Sequence, residues 1–117
     1  MKQEEKLARL FKILSVGTRI RILNLIKERA LCVNALSQAL KITPAAVSQH
    51  LRVLRDAGLV TAEKRGYFVH YKANAARMKE INRSANQLLE IKKRKKEEDL
   101  GRLSQNKRKG LEKTRNK

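Results

Sequence analysis

Pro44 and Gly58 bracket a single stretch, "TPAAVSQHLRVLRDAGLV", and fix both ends of one helix more firmly than anything else in the chain. The residue before the proline is Thr43, a good N-cap because its hydroxyl accepts a hydrogen bond from an otherwise unpaired backbone N–H of the first turn. Pro44 then falls at the first helical position, where its missing N–H had no partner to lose and its fixed φ already suits a helix. Gly58 ends the segment, since glycine accepts the left-handed conformation of a C-terminal cap. Between these marks Val47, Leu51 and Leu54 line one side, while Ala45, Ser48, Gln49 and Arg52 share the other at helical spacing. The helix has one face to pack and one small, nearly neutral face to present.

The flanking segments say what it packs against. Leu7, Leu10, Phe11 and Leu14 follow the i, i+3, i+4, i+7 pattern of a helix with one buried stripe. Ser15 is placed to cap the next helix, in which Ile20, Leu23 and Ile26 share a face that Ile22 and Leu25 widen. "ALCV" at 30–33 suits one short strand, and "NALSQAL" a short helix with Ala35, Leu36, Ala39 and Leu40 facing inward. A turn at Lys41 and Ile42 joins that helix to the proline-started one, and two short helices so joined form a helix-turn-helix. Residues 60–64 and 67–72 read as two strands separated by "RG", a hairpin with a basic tip. A last helix begins near Asn74, where Met78, Ile81, Ala85 and Leu88 recur at spacings 3, 4, 3 and Leu89 broadens the seam, so one face is made for another helix.

A chain of 117 residues makes one domain with a modest core, burying roughly 65% of its unfolded surface. Aromatics are only 3% of it, so that core must come from aliphatic side chains on amphipathic helices: a mainly α protein with a small β-hairpin. The net charge of +18 points to a polyanionic partner. Residues 92–117 hold 12 Lys/Arg against 4 Asp/Glu and few apolar side chains, which predicts a basic tail, a frayed helix extension disordered after about Gly101. Residues 1–91 then form the folded domain, expected to bind the polyanion and to pair through the seam of the last helix. The first 20 residues lack the apolar segment of a signal peptide and no run of 18 apolar residues exists, so the expectation is a cytoplasmic protein with no membrane partner. No phosphate-binding glycine loop or nucleophile elbow is present, and no His, Cys and carboxylate cluster along the chain, which argues against an enzyme and against a bound cofactor.

A helix enters the major groove of DNA only if its leading turn is slim. Ala45 and Ala46 leave that room, Ser48 and Gln49 offer hydrogen-bonding groups to base edges, and Arg52 is placed to reach a phosphate, with a guanine also in range. Together with Thr43 at the leading end, these are the candidate contacts to double-stranded DNA.

The order of elements resembles that of the ArsR-type (arsenic-repressor-like) winged helix-turn-helix transcriptional regulators, over about residues 5–90. "SVGTRIRILNLI" is similar to the family's first helix-turn segment, and "AVSQHLRVLRDAGLV" to its recognition helix and the start of its wing. The resemblance implies a repressor that is a homodimer joined by its first and last helices, with Leu7, Leu10, Phe11, Met78, Ile81, Ala85, Leu88 and Leu89 at the interface. It also implies that Lys64 and Arg65 contact phosphates or the minor groove. One group in the family senses metals through a Cys-x-Cys motif where this chain reads "LCVNAL"; Cys32 matches the first cysteine, but Asn34 holds the second position and is a poor ligand for soft ions. The family's other common site uses carboxylates and histidines on the last helix, and here that helix offers Glu80 and Glu90 with no histidine. No metal is therefore expected at either histidine: His50, on or near the core side of the recognition helix, is read as structural or hydrogen-bonding, and His70 lies in the second wing strand. Cys32 keeps two readings, a small buried hydrophobe and a redox thiol. The alternative to a sequence-specific regulator is a basic protein that binds nucleic acid without sequence preference.

Overall fold

The computed structural model describes residues 2–91, and the basic tail expected at 92–117 lies outside them. The chain runs α1 (Gln3–Leu14), α2 (Gly17–Glu28), β1 (Leu31–Cys32), α3 (Val33–Leu40), α4 (Pro44–Asp56), β2 (Val60–Arg65), β3 (Phe68–Ala73) and α5 (Ala75–Leu89). Aliphatic spacing decides the packing. Ile22 and Ile26 of α2, Leu36 of α3, and Val47, Leu51 and Leu54 of α4 meet with at most 1% of each side chain exposed, and Leu59 joins them just beyond α4. Full burial of such a side chain contributes about 1.5–3 kcal/mol, so these residues hold α4 against α2 and α3.

The two ends of α4 follow from local chemistry. The Ala46 backbone N–H donates to Thr43 Oγ1 at 3.1 Å, and Pro44 occupies the first turn. At the other end the Gly58 N–H donates to the Arg55 carbonyl and the Leu59 N–H to the Leu54 carbonyl, both at 2.9 Å, with Gly58 at φ +78. That is a Schellman closure, in which a positive-φ residue lets the chain reverse and satisfy carbonyls of the last turn. Thr43→Ala removes the first cap and should lower the stability of the fold by about 1 kcal/mol, read as a fall in the denaturant midpoint with an unchanged m-value.

The turn before α4 is tighter than its sequence suggests. Lys41 sits at φ 57, a left-handed conformation that non-glycine residues rarely adopt. Ser37 holds it there, because its hydroxyl donates to the Ile42 carbonyl while its own carbonyl accepts the Ile42 N–H.

The strands form one antiparallel sheet in the order β1-β3-β2. Leu31 faces Tyr71 and Cys32 faces His70, while β2 and β3 pair from Val60↔Ala73 to Arg65↔Phe68. The single strand expected at 30–33 therefore exists and extends the hairpin sheet. Alternation sets Val60, Ala62, Tyr71 and Ala73 on one face of the sheet, and Val60, Tyr71 and Ala73 pack against the core.

Four expectations need correction. Ser15 does not cap α2; its hydroxyl donates to the Lys12 carbonyl at 2.7 Å and closes α1, and Val16 precedes α2 with no side-chain cap. Ile20 is 46% exposed, so the buried stripe of α2 is Ile22 and Ile26 with Leu23 and Leu25 beside it. Ala39 faces solvent, because the α3 stripe narrows to Leu36 and Leu40. The hairpin loop is Gly66–Tyr67, one residue later than "RG", since Arg65 still pairs with Phe68. Gly66 at φ +63 explains the shift: a two-residue loop with glycine first matches the right-handed twist of the strands. Among the described residues no helix is long and apolar enough to cross a membrane.

Candidate nucleic-acid interface

With Val47, Leu51 and Leu54 turned inward, helical geometry leaves Ala45, Ser48, Gln49 and Arg52 exposed along one ridge of α4, with Thr43 exposed at its start and Ala46 half-buried beside it. The structure thus brings all six onto or next to one surface. Continuing the same spacing by one turn adds Arg55, which sequence reasoning passed over although it lies three residues after Arg52. Ser48, Gln49, Arg52 and Arg55 line a cleft of about 380 Å³ whose far wall is Tyr71 of β3, so the exposed face of α4 and the root of the wing form one concave surface.

The wing carries the second set of candidate residues. Lys64 and Arg65 are exposed at the end of β2, and Tyr67 stands at the tip with 99% of its surface open. Tyr67 was also missed; the signal was its place beside Gly66, which a two-residue loop pushes outward. Arg65 lies 3.4 Å from Glu63 in an ion pair whose partners are 53% and 69% exposed, too solvated to hold Arg65 away from another anion. Among the described residues Arg52, Arg55 and Lys64 make no ion pair.

Arg19 locks this surface to the rest of the fold. Its Nε–H donates to His50 Nδ1 on α4 at 3.3 Å and its Nη1–H to the Ile13 carbonyl at the end of α1 at 3.2 Å. The hydrogen-bonding role expected for His50 is what the geometry shows. Burial, and then the Arg19 guanidinium, hold the His50 imidazole below its ordinary pKa, so the folded state favours the neutral ring. The unfolded chain, with a histidine pKa of about 6.5, takes up that proton first. Stability contributed by this site is complete above about pH 6.5 and is lost as pH falls through the folded-state pKa. The denaturant midpoint of the parent should therefore drop between pH 7 and 5 by more than that of His50→Asn, whose Oδ1 takes the place of Nδ1 as the acceptor for Arg19.

The dimer residues expected from sequence split by burial. Leu10 and Ile81 are already covered within one protomer, and Leu7, Met78 and Ala85 are partly covered. Phe11 at 38%, Leu88 at 58% and Leu89 at 72% remain open, an apolar surface spread over α1 and the end of α5. Cys32 is half-buried and free, opposite His70 in the sheet. Among the described residues no group of three or more His, Cys, Asp or Glu side chains is gathered closely enough to hold a metal ion.

Five helices, a capped helix-turn-helix pair and a two-stranded wing beside it define a winged helix-turn-helix protein. Comparison with known proteins carries this to a family. Residues 17–62 match the model of the bacterial regulatory protein, arsR family. An uncharacterised helix-turn-helix-type transcriptional regulator of Methanocaldococcus jannaschii, MJ1325, is 36% identical over 89 residues, covering 75% of this chain and all of that protein. The arsenical resistance operon repressor of Escherichia coli is 44% identical over 64 residues, 54% of this chain and 55% of the repressor. Among solved structures, the homodimeric winged helix-turn-helix DNA-binding domain of Mb0332 from Mycobacterium bovis superposes with a TM-score of 0.58 at 28% identity, covering 77% of this chain and 87% of that one. The chain belongs to the ArsR family of transcriptional regulators.

Proposed function

We propose that the protein is a sequence-specific, double-stranded-DNA-binding transcriptional repressor that acts as a homodimer. One observation carries the reading: on α4 a slim, neutral, exposed leading turn is followed at helical spacing by Arg52 and Arg55, which make no ion pair among the described residues, beside a wing tipped with Lys64 and Arg65. Ser48 and Gln49 read base edges in the major groove, Arg52 and Arg55 meet the flanking phosphates, and Lys64 and Arg65 anchor the wing. The likeness to a bacterial operon repressor and to a homodimeric DNA-binding domain supports this assignment, and the open apolar surface of Phe11, Leu88 and Leu89 supports pairing of two copies through α1 and α5. With one cysteine in the chain, no protomer supplies the several thiolates that a soft metalloid requires, so arsenic sensing of the thiolate type is not part of the proposal.

The test is competition binding at fixed salt between duplex from upstream of the protein's own gene and scrambled duplex. The upstream duplex should win; equal affinities would leave only a basic protein without sequence preference. In the same assay Gln49→Ala should narrow the gap by about 1–3 kcal/mol per base pair read, while leaving the melting temperature unchanged. A variant with full preference would mean that Gln49 does not read bases.

A further inference from the structure

We infer that the groove between α1 and the far end of α4 binds a small amphipathic carboxylate, and that its occupation weakens DNA binding. The second half rests on α4 being the recognition helix; the first does not.

The cavity measures about 400 Å³, within the roughly 300–1,000 Å³ typical of small-molecule sites. Its apolar floor is Leu10 and Ile13 of α1 with Val53 and Ala57 at the end of α4, and its rim carries Lys6, Arg9 and Arg77. Lys6 and Arg9 make no ion pair among the described residues, and Arg77 reaches only the exposed Glu80, at 3.4 Å. An apolar floor under three cations fits an alkyl or aryl body with an anionic head, and it repels a cationic amphiphile. The groove is also separate from the surface α1 offers to a second copy. Leu10, expected at the dimer seam, lies instead in the groove floor and is already covered within one protomer; at about 100° per residue, Lys6, Arg9, Leu10 and Ile13 centre about 130° around the helix from Leu7 and Phe11.

Asp56 links this groove to DNA. It is the last residue of α4 and lines both the groove and the cleft shared by Gln49, Arg52 and Arg55. A carboxylate held by the rim cations stands against Asp56, like charge against like. It also draws on Arg77, whose Nε lies 3.9 Å from the place a Cβ on Gly58 would occupy, next to the closure that ends α4. The ligand therefore acts on the C-terminal end of α4, the element that carries the proposed base contacts.

Octanoate is titrated into the full chain without DNA, followed by heteronuclear NMR. A Kd on the order of 1 mM is expected for a ligand of this size, with the largest shifts at Ile13, Val53 and Ala57. Octanol, octylamine and acetate should bind at least about tenfold more weakly. Lys6→Gln with Arg9→Gln, both exposed and so tolerated by the fold, should weaken octanoate by a similar factor; Lys27→Gln with Lys79→Gln, which removes the same charge elsewhere, should not. Equal binding of octanol and octanoate, or octanoate binding unaffected by the Lys6 and Arg9 changes, overturns the site. Saturating octanoate should then lower affinity for the upstream duplex about fivefold or more. Binding that leaves duplex affinity unchanged overturns the regulatory role, and loss of sequence preference without octanoate overturns the DNA reading while leaving the ligand titration to stand.

Discussion

Replacing Leu51 with alanine is expected to lower folding stability by about 2–5 kcal/mol and to remove DNA binding along with it. Leu51 is 1% exposed and belongs to the same cluster as Ile22, Ile26, Leu36 and Val47, so truncation opens a cavity where α4 meets α2 and α3. Domains are stable by only about 5–15 kcal/mol in total, and one this small has little reserve. The effect on DNA is indirect: Leu51, buried behind the cleft that Ser48 and Gln49 line, fixes the rotation of the helix that presents them. Equilibrium denaturation checks the first part, and duplex titration at a temperature where the variant is still folded checks the second. A midpoint shift worth less than about 0.5 kcal/mol, the range of an ordinary surface change, would mean that α4 is not anchored through this residue.

The contrast between Leu51 and Ile20 shows what the sequence could reveal about packing. In α4 the large apolar residues are few: Val47, Leu51 and Leu54, spaced 4 and 3 apart with Val53 beside them, mark a single face, and those three are the residues buried there. In α2 apolar residues occur at 20, 22, 23, 25 and 26, wide enough that two different stripes satisfy a helical period. The choice between them depends on where α3, α4 and β3 sit, which is a tertiary fact. Ser15 failed for a related reason: a serine between two helices can close one or cap the other, and the competing acceptor, the Lys12 carbonyl, is not visible until α1 has formed. The hairpin slipped by one residue because both "RG" and "GY" place a glycine in the loop, and only the pairing of Arg65 with Phe68 separates them.

The candidate site shows the same division. The ridge from Ala45 to Arg52 was legible because helical period, cap and small side chains all agreed on one face. Arg55 lay on that ridge, three residues beyond Arg52 and past the residues fit to read bases. Tyr71 could not have been found from spacing: it reaches the cleft only because β3 is the central strand and turns that side chain toward α4. The hydrogen bond from Arg19 to His50 spans 31 residues of chain, beyond any local pattern.

Raising the salt concentration from 50 to 200 mM should lower affinity for any duplex by about 10⁴-fold, because phosphate neutralisation releases counterions and log K falls by about 0.9 per contact for each log unit of salt. Arg52, Arg55, Lys64 and Arg65 provide four exposed cations per protomer at the proposed interface. Two protomers then give about eight contacts and a slope near −7. The division between reading and anchoring makes this separable. Lys64→Ala with Arg65→Ala removes four contacts from the dimer and should flatten the slope by about 3.5, weakening upstream and scrambled duplex alike. Gln49→Ala should leave the slope unchanged, since its amide carries no charge. A slope much steeper than −7 assigns further phosphate contacts to cations outside these four, and deletion of residues 92–117, with their 12 Lys/Arg, identifies whether they are the source. A slope near −3.5 in the intact protein, about the value for the four α4 cations of a dimer alone, would remove the wing from the phosphates and leave α4 as the sole contact.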